Sequence, residues 1–296
     1  MRLKNLETFL AVVKCGSFRG AADYLHTTQP AISARIAQLE DELGIALFDR
    51  AKRKVVLNNK GYELLPYAER IIALNEELEL KVGQESSYEG LVRLGTSETL
   101  LHTWVPQLLS QLGQRFPNLS VEMEVNTTQG LRNALTNGEI DIALLMGPVS
   151  EPSMRNVPLN KYALVWAASP KLNIASRCLQ LADIAAYSIL TYPRQTRPYI
   201  ALKEALQQRD IQKVCINTSA SLATILHLAV AGRGVTALPL EVMREQLNNG
   251  DLMVIDVDYT LPDLEFTVTY SPTSTTPILE VIANIAKALA QNTNEK

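Results

Sequence analysis

The sequence predicts an α/β protein of more than one domain: an N-terminal helix-turn-helix with a β wing, one long helix, and two lobes of open, mostly parallel sheet covered by helices. Three observations predict it. The first sixty residues carry three short amphipathic helical patterns followed by a basic hairpin pattern. The stretch from Gly61 to about Gln84 is one acidic helical run with apolar residues at heptad spacing. From "SSYEG" onward, strand and helix patterns alternate to the end. The length of 296 residues also reaches the size, roughly 250 to 300, at which single cores stop growing.

Taken in order, Asn5 is placed to cap a first helix whose Leu6, Phe9, Leu10 and Val13 follow helical spacing up to Gly16. Ser17 then caps a second helix, about Phe18 to Leu25, in which the small Ala21 and Ala22 let another helix approach. The third begins at Thr28/Gln29, with Pro30 in its first turn, where a missing N–H costs nothing. Stepping about 100° per residue puts Ile32, Ile36, Leu39 and Leu43 on one inner stripe. Pro30, Ala34, Ala37, Gln38 and Asp41 face the other way, a plain side that allows close approach to a surface. Two such helices joined by a short turn form a helix-turn-helix, whose second member enters the DNA major groove by its N-terminal residues.

"LFDRAKRKVVL" then reads as two short strands around a basic turn of Arg50, Lys52, Arg53 and Lys54, a wing suited to phosphates. In the long helix, Leu64, Ala68, Ile71, Asn75, Leu78 and Val82 form a heptad seam that needs a cover. That cover is either the same helix of a second copy or the chain's own domain. Pro66 lies inside the helix and predicts a kink or a frayed first turn. Beyond it, the strand candidates are "LVRLGT", "SVEMEVN", "EIDIALLM", "YALVWAA", "YSILTY", "KVCINT", "GVTALP", "LMVIDV" and "EFTVTYS". Helical patterns fall between them at 100–116, 129–137, 198–209, 221–231 and 277–291.

Charge is unevenly spread. Residues 1–60 carry +4, residues 61–89 carry −5 and the remainder −2, so the basic part is amino-terminal, as contact with a polyanion requires. With 47% hydrophobic and 20% charged residues the chain is an ordinary globular one. Its first residues lack an export signal, and it contains no apolar run of about 18 residues, so cytoplasmic residence without a membrane partner is expected. Cys15, Cys178 and Cys215 are an odd set without close spacing, expected to be reduced and buried. A redox pair of Cys178 and Cys215 is the weaker alternative, for lack of basic neighbours beyond Arg177 and Lys213. His26, His102 and His227 lack metal spacing, and neither a metal nor a cofactor is expected.

The residues of the first 65 positions resemble LysR-type transcriptional regulators. The likeness is carried by Leu6, Phe9, Val13, "GSF" at Gly16, Ala21 and Ala22, Leu25, "TQPAIS" at Thr28, Ile36, Leu39 and Glu40. It continues through Leu43 and Gly44, Leu47 and Phe48, Arg50, Arg53, Leu57 and Gly61. A weaker echo, "GEIDIALL" at Gly138, looks like the family's regulatory domain. Asn58 stands where the family often has Thr, and Asn also caps helices well. The resemblance implies a winged helix-turn-helix over 1–58 and a dimerising linker helix over 59–89. It further implies a periplasmic-binding-protein-like (type II) effector domain over 90–296, with lobe I about 90–161 and 267–296 and lobe II about 162–266. A bacterial source, assembly as a homotetramer and contact with RNA polymerase are implied as well.

Carried onto matching positions, the family's DNA contacts nominate Gln29, Pro30 and Ser33 for base edges and Arg35, Arg50 and Arg53 for the backbone. In the regulatory part, Thr96, Ser97 and Thr99 follow one strand, Asn126, Thr127 and Thr128 another, and Thr218, Ser219 and Ser221 a third. Strand ends of this kind converge on clefts, where hydroxyls and helix N-termini hold anions, although capping alone explains one residue of the first set. Arg194 and Arg197 in "TYPRQTRPY" either face the same cleft, favouring a carboxylate effector, or lie on a solvated loop; an inward Glu98 argues against an anion. The alternating lobes alone also allow a solute-binding protein, against which the extra N-terminal helices argue. An α/β enzyme is disfavoured by the absence of GxGxxG, GxxxxGK[ST] and GxSxG.

Overall fold

The computed structural model describes residues 2–49, 55–82, 86, 88–152, 154–175, 177–271 and 277–293. The chain divides into two compact units, Met1–Glu85 with Thr275–Ile278, and Ser86–Ser274 with Leu279–Lys296.

The first unit is built on three helices, α1 (Leu3–Cys15), α2 (Phe18–Tyr24) and α3 (Gln29–Leu43). Asn5 does not cap α1. The cap position is Arg2, without a side-chain bond, and Asn5 is buried one turn inside, its amide donating to the Arg2 carbonyl at 3.0 Å. Ser17 does cap α2, accepting from the Gly20 amide at 2.9 Å. Gly16 and Gly44 end α1 and α3 at φ +63° and +67°, a conformation glycine adopts without steric cost. His26 takes the same left-handed conformation, φ +48°, in the turn between α2 and α3.

The core of this unit gathers Leu6, Phe9, Val12, Ala21, Ala22, Ile32, Ile36 and Leu39, with Phe9 and Phe18 both tilted against Phe48. Leu43, expected on the inner stripe, is exposed, being the last residue of α3, beyond the covered Leu39 and Glu40. Two short antiparallel strands follow, β1 (Phe48–Asp49) and β2 (Val56–Leu57). The basic tip between them lies outside the described residues. Leu47 ties the parts together: its amide donates to the buried Glu40 carboxylate at 2.7 Å and its carbonyl accepts from the Asn58 amide at 3.0 Å.

Asn58 opens the long helix α4 (Asn59–Val82), accepting from the Gly61 amide at 2.9 Å. Gly61 is required there, since a Cβ would strike the Leu47 carbonyl oxygen and the Leu57 side chain. The helix runs through Pro66 with its first turn formed, so of the kink or frayed first turn expected the fraying is absent. Pro66 is exposed, so the carbonyl it leaves unpaired is on the solvent side. The seam divides in two. Leu64, Ala68 and Ile71 pack on the unit's own core, while Leu78 and Val82 remain 60% and 79% exposed.

The second unit contains two five-stranded sheets, each with two parallel and two antiparallel pairings, so they are mixed rather than mostly parallel. Lobe I holds β3 (Gly90–Thr96), β4 (Leu119–Val125), β5 (Ile142–Met146), β6 (Arg155–Tyr162) and β12 (Leu264–Tyr270) in the order β4-β3-β5-β12-β6. Lobe II holds β7 (Leu164–Ala168), β8 (Ile189–Thr191), β9 (Ile216–Thr218), β10 (Val235–Pro239) and β11 (Met253–Val254) in the order β11-β7-β10-β8-β9. The antiparallel members are the strands next to the two lobe crossings and the edge strands they pair with. One crossing lies at Ala163. The other lies before Leu264, so Leu264, Glu265 and Phe266 belong to lobe I rather than lobe II; Leu264 pairs with Tyr162, and Phe266 packs edge-on against Tyr162.

Strand β6 escaped sequence reading because Pro158 interrupts it. It is an edge strand paired only with β12, where a proline is tolerated. The predicted helix at 100–116 is two, α5 (Glu98–Leu101) and α6 (Val105–Arg115), split by a turn at 102–104. Helices α7 (Thr128–Thr136), α9 (Arg197–Gln208), α10 (Leu222–Val230) and α12 (Ile278–Thr293) match patterns, whereas α8 (Leu181–Ile184) and α11 (Leu240–Asn248) were unanticipated. The "GEID" echo has a structural role. Asp141 receives Arg93 bidentately, at 2.7 and 3.2 Å, and also its backbone amide at 2.9 Å, locking β3 to the start of β5.

Candidate nucleic-acid interface and ligand cleft

Helix α3 presents two unlike faces. Ile32, Ile36 and Leu39 anchor it in the core, while Gln29, Pro30, Ser33, Ala34 and Ala37 are exposed together. Thr28 precedes them as N-cap, accepting from the Ala31 amide at 3.4 Å. The exposed side is free of bulky side chains, so a helix lying in a groove would approach at backbone distance there. Arg35 is half-buried and turned back toward α1, its Nη1 donating to Thr8 Oγ1 at 3.5 Å. Arg50 and Arg53, with Lys52 and Lys54, lie outside the described residues. Asp41 and Glu42 are exposed at the far end of the helix, which disfavours phosphate there.

The two lobes enclose a cavity of about 370 Å³, within the range of small-molecule sites. The C-terminal ends of β3, β4, β5 and β8 point to it, as open α/β sheets place their ligand crevices. Ser97, Thr99, Thr127 and Thr128 line it, as the sequence suggested, along with Asn126 and Ser221. Ser97 Oγ is buried without a hydrogen-bond partner, an orphaned group that a ligand would satisfy. Four expected members fall outside, among them the half-buried Ser219. Thr96 is fully buried behind the lining, because its strand position turns the side chain into lobe I, and Thr218 and Arg194 are exposed beyond the rim. Sequence reasoning missed Met146, Tyr192, Thr196, Leu264 and Phe266. Strands read only as core supply most of these, and nothing local marks an apolar strand residue as facing a cavity.

Glu98 does point inward. Its carboxylate crosses from lobe I to the N-terminus of α10, accepting from Ser221 Oγ at 3.3 Å and the Ala223 amide at 3.5 Å, with His102 Nε2 at 3.7 Å. The anion position at that helix end is thus taken by the protein itself. Beside it, burial pushes the Tyr192 phenol far above its ordinary value, the Thr99 hydroxyl opposing and the Glu98 charge adding. Tyr192 is therefore a neutral wall of the cavity.

Comparison with known proteins finds one family in both parts of the chain. Residues 3–62 match the model of the bacterial regulatory helix-turn-helix protein, lysR family, and residues 85–291 match the LysR substrate binding domain. The chain belongs to the LysR family of transcriptional regulators. Among its relatives, the HTH-type transcriptional regulator BenM of Acinetobacter baylyi is 27% identical over 97% of this chain and 92% of its own. The probable RuBisCO transcriptional regulator of Gracilaria tenuistipitata var. liui is 30% identical over 84% of each chain. The crystal structure of full-length BenM superposes with a TM-score of 0.54 at 26% identity, covering 97% of both chains.

This LysR-type protein is a DNA-binding transcriptional regulator with an effector-binding domain, and not an enzyme. Among its described residues no helix is long and apolar enough to cross a membrane, and no cluster of His, Cys, Asp and Glu suits a metal ion. The thiols depart from expectation: Cys178 and Cys215 are exposed and Cys15 is half-buried. The hydrogen bond and charge of Asp256 raise the Cys178 pKa, which disfavours the reactive thiolate.

Proposed function

We propose that this LysR-type regulator reads duplex DNA with the start of α3 and rearranges on it when a small organic anion occupies the cleft between its lobes. Gln29, Pro30 and Ser33 meet base edges, while Arg35, Arg50 and Arg53 hold the backbone. Ser97, Thr99, Thr127 and Thr128 contact the effector. The single observation that carries the DNA reading is the exposed, small-residue side of α3 opposite a fully buried Ile32–Ile36–Leu39 stripe. What supports the effector reading is the enclosed cavity with the orphaned Ser97 hydroxyl.

The protein works in the cytoplasm as a dimer paired through the distal half of α4, assembled further into a tetramer, and meets RNA polymerase at the promoter. An effector shifts the arrangement only so far as it binds the lobes' two states with different affinity. Footprinting of DNA upstream of neighbouring genes, with and without small carboxylates, tests the reading. Protection whose extent changes with an effector supports it, and a chain that protects no duplex at low salt refutes it. Arg53→Ala is expected to weaken binding to all sequences and lower the salt slope by about 1.

A further inference from the structure

We propose that the effector is an amphipathic carboxylate, its apolar body in the cavity against Phe266 and its anionic head in an adjoining chamber between Arg132 and Arg197. The inference rests on the reading of the cleft as the effector site and adds the ligand's chemistry and orientation.

The cleft has two parts. A second chamber of about 290 Å³ adjoins the 370 Å³ cavity, the two sharing Thr127, Thr128, Met146, Pro193 and Thr196 in their walls. The first is mostly apolar, with Val125, Met146, Tyr192, Pro198, Leu264 and Phe266, and Glu98 is the one charged side chain among its described lining residues. That carboxylate already fills the N-terminus of α10, so a ligand's negative group placed there would meet repulsion and no open donor set. Away from that corner the walls accept an apolar body, and the unpartnered Ser97 hydroxyl is left for a neutral polar group of the ligand.

The second chamber is of the opposite kind. Arg132 comes from α7 of lobe I, and Arg197 is the first residue of α9 of lobe II. Arg132 Nε is buried with no hydrogen-bond partner, a donor left for a group that the protein does not supply. Arg197 places a positive charge at the positive end of a twelve-residue helix, a position unfavourable by itself and relieved when an anion shares it. Among the described lining residues Glu265 is the one carboxylate; it accepts from Lys161 Nζ at 2.9 Å and also feels the Arg197 charge, but with Lys161 and two arginines beside it the neighbourhood keeps net positive charge. Two guanidinium groups suit a carboxylate, which each can receive bidentately. Because one guanidinium belongs to each lobe, the head draws α7 and α9 together, which gives the ligand its preference for one lobe arrangement.

The test is titration calorimetry on the full-length protein with octanoate and phenylbutanoate, each beside its primary amide. Carboxylate binding that exceeds amide binding at least tenfold, about 1.4 kcal/mol, is expected. Arg132→Met and Arg197→Met are each expected to lose tenfold or more for the carboxylate and to leave the amide unchanged. Ala220→Trp, which fills the first chamber, is expected to abolish both. Equal affinity for acid and amide overturns the proposal on the wild type alone, whatever the variants' folding. Unchanged carboxylate affinity in both arginine variants overturns it too, as does no saturable binding of either acid up to millimolar concentration. Wild-type affinity in Ala220→Trp would instead overturn the cleft as the ligand site.

Discussion

Glu40 should hold the wing to the helix-turn-helix, and its removal should loosen the first unit while sparing the second. Its carboxylate is buried and accepts the Leu47 amide at 2.7 Å, directly before β1. Glu40→Ala leaves that amide without its charged acceptor in a site that excludes water. Hydrogen bonds to charged groups contribute about 1.5–3 kcal/mol, and an unsatisfied buried amide costs about as much, so a loss near 2 kcal/mol is expected. With a urea slope of roughly 2 kcal/mol per molar, the unfolding midpoint should fall by about 1 M. Glu40→Gln keeps an oxygen acceptor without the charge and should lose about half as much. Two probes separate the units. Both tryptophans, Trp104 and Trp166, lie in the second unit and report it alone. Helices of both units contribute to circular dichroism, so the part of the dichroism change without a fluorescence counterpart reports the first unit. The dichroism transition should move and the tryptophan fluorescence transition should not. A Glu40→Ala midpoint unchanged in both would refute the role assigned to this bond, and equal shifts in both would refute its confinement to the first unit.

Replacing Leu78 and Val82 by Lys should break the proposed α4 pairing and reduce the tetramer to dimers in sedimentation velocity without moving the unfolding transition, since both are mostly exposed in the single chain; an unaltered assembly would assign the pairing to another surface. Ser17→Ala should destabilise the first unit by about 1 kcal/mol in the same urea assay through loss of the α2 cap, and no loss would deny the cap its weight. Burial raises the Tyr192 phenol above an unfolded tyrosine's value of about 10, so the folded state holds its proton longer than the unfolded state does. Stability is then fully present below about pH 10 and falls as pH rises beyond it. Tyr192→Phe should lessen that alkaline loss; an identical alkaline unfolding curve would contradict it.

How much was legible in the sequence differs between the two sites. The helix-turn-helix was read almost residue by residue, because its signals are local: Ser17 and Thr28 as caps, Pro30 in the first turn and the Ile32–Ile36–Leu39 stripe. Its errors were also local, since Asn5 has a capping side chain yet sits where the core has already closed over it. The cleft was legible only where a polar strand end announced itself, at Ser97, Thr99, Thr127 and Thr128. Arg132 looked like any polar residue of an amphipathic helix, and Arg194 was as plausible from spacing as Arg197.

By itself the sequence determined most of the elements, their order and the exposed small-residue face of α3, because caps, periodicity and turn chemistry act over a few residues. Only the tertiary structure decided what meets across the lobes. Glu98 with the start of α10 and Arg132 facing the same chamber as Arg197 are juxtapositions between residues 65 to 125 positions apart. Such pairs leave no periodic trace along the chain, since they are created by strand pairing and by the two crossings between lobes. The same reason assigned the seam of α4: Ala68 and Leu78 look alike in a heptad, and only packing showed that the first is covered by its own unit and the second is left exposed.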